Sequence, residues 1–183
     1  PPAALDAAEL AALARGQVVR RSLDVELDDG AYFGGVSYVV VRAPAEVVMS
    51  ALLDPASYRS ILPLTLEARV EERRGDLFYL HLRQGRRAAS AADTVVARKS
   101  GPDLVQFWLD PARPHDIADC WGFFRVEPVD AGRSLLHYGA LVRLDFGVTK
   151  LLFTEKIRAY ALDTPDLVRR YVERGEERVA KSW

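Results

Sequence analysis

The stretch Val41-Arg42-Ala43-Pro44-Ala45-Glu46-Val47-Val48 decides the architecture, because the hydrophobic period of the chain changes inside it. Before it, Phe33 to Arg42 is built around Val36, Tyr38, Val39, Val40 and Val41, and this β-branched and aromatic run predicts a strand. After it, Val47, Val48, Ala51 and Leu52 recur at helical spacing, and Pro44 is suited to the first helical position. Asp54-Pro55 then reads as the cap and first residue of a second short helix, which carries Tyr58, Ile61 and Leu62 and stops at Pro63.

Working outward, Val18 to Leu27 predicts a strand that pairs with Phe33–Arg42 across the turn Asp28-Asp29-Gly30. Ahead of it, residues 3–14 predict a short helix, with Leu5, Leu10 and Leu13 among alanines and Gly16 placed to end it. On the other side, six strands are predicted at Leu66–Glu72, Leu77–Gln84, Asp93–Lys99, Leu104–Leu109, Ile117–Glu127 and Leu135–Phe146. Turn residues separate them, so an antiparallel meander is the simplest connection. Val148 to Leu162 predicts a helix, and Thr164-Pro165 restarts or kinks it. Leu167, Val168, Tyr171, Val172 and Val179 continue one apolar stripe, which needs a sheet to cover. The expected fold is α+β: a curved antiparallel sheet wrapped around a long C-terminal helix, with two short helices after the second strand. Residues 1–16 are expected to form a helical extension and residues 17–183 a single domain.

Composition narrows the function classes. With 183 residues, 49% hydrophobic and 28% charged, the chain has the profile of a globular domain and not of a disordered one. Lys and Arg number 25 against 26 Asp and Glu, so no net positive field invites nucleic acid. The single cysteine, Cys120, excludes an internal disulfide framework. No uncharged apolar run approaches the ~18–20 residues of a membrane span. The sequence begins Pro1-Pro2 without a methionine, so both a cytoplasmic protein and one exported to the periplasm after loss of a leader fit it.

The passage from Val41 through Pro44 to Val48, followed by Leu53-Asp54, Tyr58 and Leu62-Pro63, resembles the start of the SRPBCC superfamily, the START/Bet v 1-like helix-grip proteins. The resemblance continues through Trp121-Gly122, the long strand 135–146 and the closing helix, and covers about residues 17–179. It implies a deep cavity between the concave sheet and the last helix. Members hold lipids, sterols, polyketides, quinones or other apolar molecules there, and the superfamily includes polyketide cyclase-like and lipid-transfer proteins.

Strand alternation assigns the lining. Phe78, Leu80 and Leu82 form one uniform face, opposed by Tyr79, His81 and Arg83. Tyr138, Ala140, Val142, Leu144 and Phe146 oppose His137, Gly139, Leu141, Arg143 and Asp145. The apolar sets are expected on the concave face, with Cys120, Gly122, Phe124 and Val126 following the same logic against a competing face of Trp121 and Phe123. Small residues such as Ala140, Gly122 and Cys120 leave room near the sheet. The ligand-binding residues expected are Phe78, Leu80, Phe107, Phe124, Tyr138, Ala140, Val142, Phe153, Ile157 and Tyr160.

No catalytic or cofactor set is legible. His81 and His137 fall on the convex, solvent face by alternation, and His115 lies in the turn Pro111–Asp116. His115, Asp116, Asp119 and Cys120 cluster in sequence but lack metal-ligand spacing, so no metal is expected. Cys120 reads as a buried core thiol. Asp119, Arg98 and Arg125 read as outer-face ion-pair residues, or as a headgroup anchor if any points inward. Arg83, Arg86 and Arg87 flank Gly85, where a basic hairpin tip either touches anionic membrane surfaces transiently or is simply solvated. The leading expectation is a carrier or sensor of a hydrophobic small molecule or lipid. The alternatives are a polyketide aromatase/cyclase-like enzyme, marked by an inward polar cluster, and a protein-interaction module, marked by an exposed apolar patch.

Overall fold

The computed structural model describes residues 4–86, 89–144 and 150–180, with the backbone alone at 89, 150–153 and 176–180. Helix α1 (Ala7–Ala14) precedes strands β1 (Val19–Leu27) and β2 (Gly30–Val41). Helix α2 (Ala45–Leu53), a 3-10 turn (Pro55–Ser57) and helix α3 (Tyr58–Ile61) follow. Strands β3 (Thr65–Arg74), β4 (Leu77–Arg86), β5 (Ala89–Lys99), β6 (Leu104–Leu109), β7 (Asp119–Asp130) and β8 (Arg133–Arg143) lead to helix α4 (Lys150–Ala180).

All strands join one curved antiparallel sheet in the order β1-β2-β8-β7-β6-β5-β4-β3. The β3–β8 meander and the β1–β2 hairpin meet where β2 pairs with β8, with Val39 opposite Leu136 and Gly35 opposite Ala140. This closing pair joins segments about a hundred residues apart, and no local signal announces it. Strand β8 is described to Arg143; the last residues of the expected 135–146 strand lie outside the described residues.

The hinge after β2 folds as its sequence dictates, with one shift. Pro44 is the residue before α2, and the helix begins at Ala45. Asp54 caps the next turn, its carboxylate accepting the Ala56 N–H at 3.0 Å. Inside α4, Pro165 neither ends nor restarts the helix, which runs unbroken from Lys150 to Ala180. Proline lacks the N–H that would bond the Ala161 carbonyl. The adjacent Thr164 hydroxyl donates to the Tyr160 carbonyl at 3.3 Å, and burial of Pro165 holds the segment against the core.

Helix α4 packs on the concave side against β2, β8 and β1 and touches α2 and α3. The main core lies there: Val39, Leu136 and Val126 from the sheet, Val48 and Leu52 from α2, and Val168 from α4. Arg158 anchors α4 to the edge of the sheet, donating to Asp24 at 2.7 Å. Helix α1 takes the other side. Leu13 packs with Val19 and Tyr38 on the convex face, and Leu5, Val36 and Leu135 complete the contact. His137 is therefore convex as expected but not solvent-facing: its ring lies edge-on to Tyr38 with centroids 5.1 Å apart, and its side chain is 14% exposed. His81 is also largely covered, between Glu67 and Glu71 on β3.

Docking of α1 depends on a carboxylate. Asp6 and Glu9 form a reciprocal capping box, and Glu9 also accepts from Arg21 on β1 at 2.7 Å. The bond from Arg21, then the Asp6 N–H, lowers the Glu9 carboxyl to about 2. A carboxyl depressed in the folded state stabilises above its unfolded value, here 4.5, and loses that contribution as pH falls through its folded value. We expect the amide shifts of Ala7–Ala14 to collapse with a midpoint near pH 2. A midpoint near 4.5 would mean that the Arg21 pair is not made in solution.

Candidate functional site

The register of β4 to β8 turns one row of side chains into the sheet's curve. Phe78 lies opposite Ala97, which lies opposite Phe107, which lies opposite Gly122. One step along, Leu80, Val95 and Leu109 repeat the pattern. On β7 and β8 the inward residues Cys120, Phe124, Val126, Leu136, Tyr138 and Ala140 are buried, and inward Val142 is half-buried. The competing face is outward, and Trp121 is 44% exposed on it.

Seven of the ten expected lining residues come from strands and share this inward face: Phe78, Leu80, Phe107, Phe124, Tyr138, Ala140 and Val142. Ile157 and Tyr160 are half-buried on α4, and Tyr160 packs against the main core. The side chain of Phe153 lies outside the described residues. The structure brings three aromatics together. Phe124 and Tyr138 have ring centroids 4.8 Å apart, and Phe107 lies 5.8 Å from Phe124 and 6.2 Å from Tyr138. One expectation about free space is corrected. The room above Gly122 is taken by the Phe107 ring, whose nearest atom would stand 2.4 Å from a Cβ at that position.

A second inward cluster joins Val95, Leu109 and Cys120, with Leu82, Phe107 and Val142 against it, and of these sequence reasoning passed over Val95 and Leu109. It also passed over the polar end of the same face. Gln84 follows Leu82 on the inward side of β4 and donates to the Thr65 hydroxyl at 3.2 Å. The alternation of Phe78, Leu80 and Leu82 carries straight on to Gln84, which is the signal that marks it.

The buried phenols and the thiol of the interior are neutral. Burial, the largest effect, raises the Tyr138 phenol, and the nearby Cys120 thiol adds to it, against the Thr164 hydroxyl. Burial also pushes the Cys120 thiol up to about 12, helped by the charges of Asp93 and Asp119. Tyr58 is pushed up by burial to about 12 and donates its hydroxyl to the Leu52 carbonyl at 2.7 Å. The hydroxyl of Ser37, fully buried opposite Tyr138, makes no hydrogen bond. Burial raises Tyr160 as well. The Leu64 N–H and the Thr65 hydroxyl oppose that rise, although neither makes a hydrogen bond of normal geometry to its oxygen.

The remaining chemical candidates disperse. Asp116 accepts from the Ala92 N–H, Asp119 accepts from the Tyr32 hydroxyl on the convex side, and Cys120 points inward. His115 is exposed, with Nδ1 2.7 Å from the Ile117 carbonyl oxygen. Arg98 and Arg125 are outward, Arg98 bonded to Gln106 and Arg125 3.6 Å from Asp103. Arg83 is not at a hairpin tip: it sits within β4 and pairs with Glu67 at 2.7 Å. Arg86 ends that strand, and Arg87 lies outside the described residues. A separate open groove of about 640 Å³ runs between α2 and the sheet edge, where Met49, Leu53, Arg73 and Lys99 meet. It holds none of the ten expected residues. Arg73 stands between it and the interior, with its guanidinium 4.7 Å from the Phe78 ring centre. No helix among the described residues is long and apolar enough to cross a membrane.

Solved structures share this geometry. The STAR-related lipid transfer protein of Xanthomonas axonopodis superposes with a TM-score of 0.70 at 15% identity, covering 85% of this chain and 93% of its own. Human STARD10 gives 0.70 at 13%, covering 90% of this chain and 72% of its own. The Zhui aromatase/cyclase of Streptomyces sp. R1128 gives 0.64 at 17%, covering 88% and 96%. At such identities the likeness speaks for the fold. No curated protein matches the chain in sequence. Residues 35–179 match the family described as polyketide cyclase/dehydrase and lipid transport, a span from β2 into the last turns of α4, and the chain accordingly belongs to that family within the SRPBCC superfamily.

Proposed function

We propose that the protein binds an apolar small molecule or lipid between the sheet and α4 and acts as its carrier. One observation supports this above the others. Phe78, Leu82, Phe107 and Val142 face into the sheet's curve yet remain only half-buried, whereas dense interiors leave such residues no free surface. Apolar burial at about 25 cal/mol per Å² would supply the affinity.

The chemistry of the interior favours carriage over cyclisation. A cyclase needs a group that takes a proton near neutral pH. Of the described inward groups, Tyr138 and Cys120 are held protonated, the Asp93 carboxylate is taken up by the Asp116 and Ile117 N–H groups, and all three histidines lie on the convex face or in an exposed turn. A ligand would therefore meet hydrocarbon, aromatic rings, neutral hydroxyls and a carboxylate already engaged by backbone N–H groups.

Leu82→Trp tests the reading. If the space is there to be filled, the variant folds with an unchanged melting temperature and loses at least about ten-fold in affinity for the neutral dye N-phenyl-1-naphthylamine. If the interior is dense, over-packing costs about 1–3 kcal/mol of stability and there is no dye binding to lose. Mass spectrometry of organic extracts from protein purified from its source cells, beside an unrelated control, is expected to reveal a co-purifying apolar molecule.

A further inference from the structure

We infer that the interior receives its ligand by an uncharged, oxygen-bearing end that accepts a hydrogen bond from Tyr160 Oη and rests against Thr65 and Gln84. This inference rests on the carrier reading above. It names the chemistry of the ligand's buried end: an alcohol, ketone, ester or amide oxygen on an apolar body.

Three observations carry it. First, Tyr160 projects from α4 against the core, and its Oη is buried without a hydrogen-bond partner. Buried hydroxyls are normally paired, so an unpaired one calls for a partner that arrives from outside the chain. The Leu64 backbone and the Thr65 side chain act on this oxygen, but neither makes a hydrogen bond of normal geometry with it.

Second, the phenol does not stand alone. Thr65 and Gln84 pair across β3 and β4, joined at 3.2 Å, and Gln84 ends the apolar row of Phe78, Leu80 and Leu82. An apolar row with a polar terminus has the polarity of an amphiphile. Both Thr65 and Gln84 also retain hydrogen-bonding capacity beyond the bond they share.

Third, the covered charges around the interior are already engaged, and Arg86, at the end of β4, is exposed to water. Inward Asp93 accepts from the Asp116 and Ile117 N–H groups at 2.8 and 3.1 Å. Arg158 is paired with Asp24. Arg73 and Lys99 belong to the outer groove, at the far ends of β3 and β5 from Thr65. A carboxylate or phosphate brought to Tyr160 would lose its water and gain no covered counter-charge that is not already paired, which disfavours an ionised end.

The test displaces N-phenyl-1-naphthylamine with decanol and with ionised decanoate. Decanol is expected to bind the wild type more tightly than decanoate. Tyr160→Phe removes one neutral hydrogen bond and is expected to weaken decanol about five-fold while leaving the dye within about two-fold. Thr65→Val, which keeps the shape of the side chain, should shift decanol in the same direction. Unchanged decanol affinity in Tyr160→Phe, or decanoate binding at least as tightly as decanol, overturns the anchor and leaves the carrier reading standing. Failure of the wild type to bind dye overturns the carrier reading, and the anchor falls with it.

Discussion

Cys120 in the native protein is expected to react with iodoacetamide at neutral pH about a thousandfold more slowly than a thiol in the unfolded chain. The thiolate is the attacking species, and its fraction falls tenfold for each step in pKa above the solution pH. Burial moves this thiol from an ordinary 9.0 to about 12, with the Asp93 and Asp119 carboxylates adding to the effect. Its surroundings, Val95 and Leu109, provide no cation to offset that. Labelling followed by mass spectrometry, in buffer and in denaturant, gives the ratio directly. The outcome bears on function, because Cys120 is the inward residue with the most intrinsic nucleophilicity. Slow labelling agrees with the proposed carrier. Labelling within a few-fold of the denatured rate would mean a water-exposed, ionisable thiol and would reopen covalent chemistry.

Local patterns were enough to read the elements and the face. The switch of period at Pro44, the turn residues between strands and the stripe from Leu167 to Val172 are short-range signals, and each describes its element to within a few residues. Alternation placed the inward row correctly even on β7, where the larger hydrophobes Trp121 and Phe123 argued for the other face. Those two face outward because Cys120, Phe124 and Val126 must keep step with Tyr138 and Leu136 on β8. The β2–β8 pairing was not legible, since it joins segments distant in sequence. Nor was the seat of α1, whose leucines suit any apolar surface and found the convex one.

The inward face proposed as a site was legible as a surface but not as a space. Sequence alternation says which way a side chain points; it does not say what fills the volume it points into. Gly122 illustrates this. A small residue in an inward row promises room, but Phe107 on the neighbouring strand had already claimed it. Tyr160 illustrates the converse. Its amphipathic type fits both core and rim, and only the structure shows that its hydroxyl is buried without a hydrogen-bond partner.

Gly122→Ala is expected to destabilise the protein by about 3 kcal/mol, at the upper end of over-packing effects, and to lower its melting temperature by roughly 6–12 °C. Two obstacles meet the added methyl group. The Gly139 carbonyl oxygen of β8 would lie 2.2 Å from it, and the Phe107 ring 2.4 Å. The ring can move, at the expense of its contacts with Phe124 and Tyr138. The carbonyl cannot move without parting β7 from β8, where Gly122 lies opposite Ala140 and Phe123 opposite Gly139. The two costs separate in a double variant. Adding Phe107→Leu clears the ring but not the carbonyl, so it should recover about half of the lost stability relative to Phe107→Leu alone. Full recovery would assign the whole penalty to the ring and show that the sheet yields easily at this point. If Gly122→Ala proved neutral, Phe107 would not lie over Gly122 in solution, and the room near β7 would again be available to a ligand.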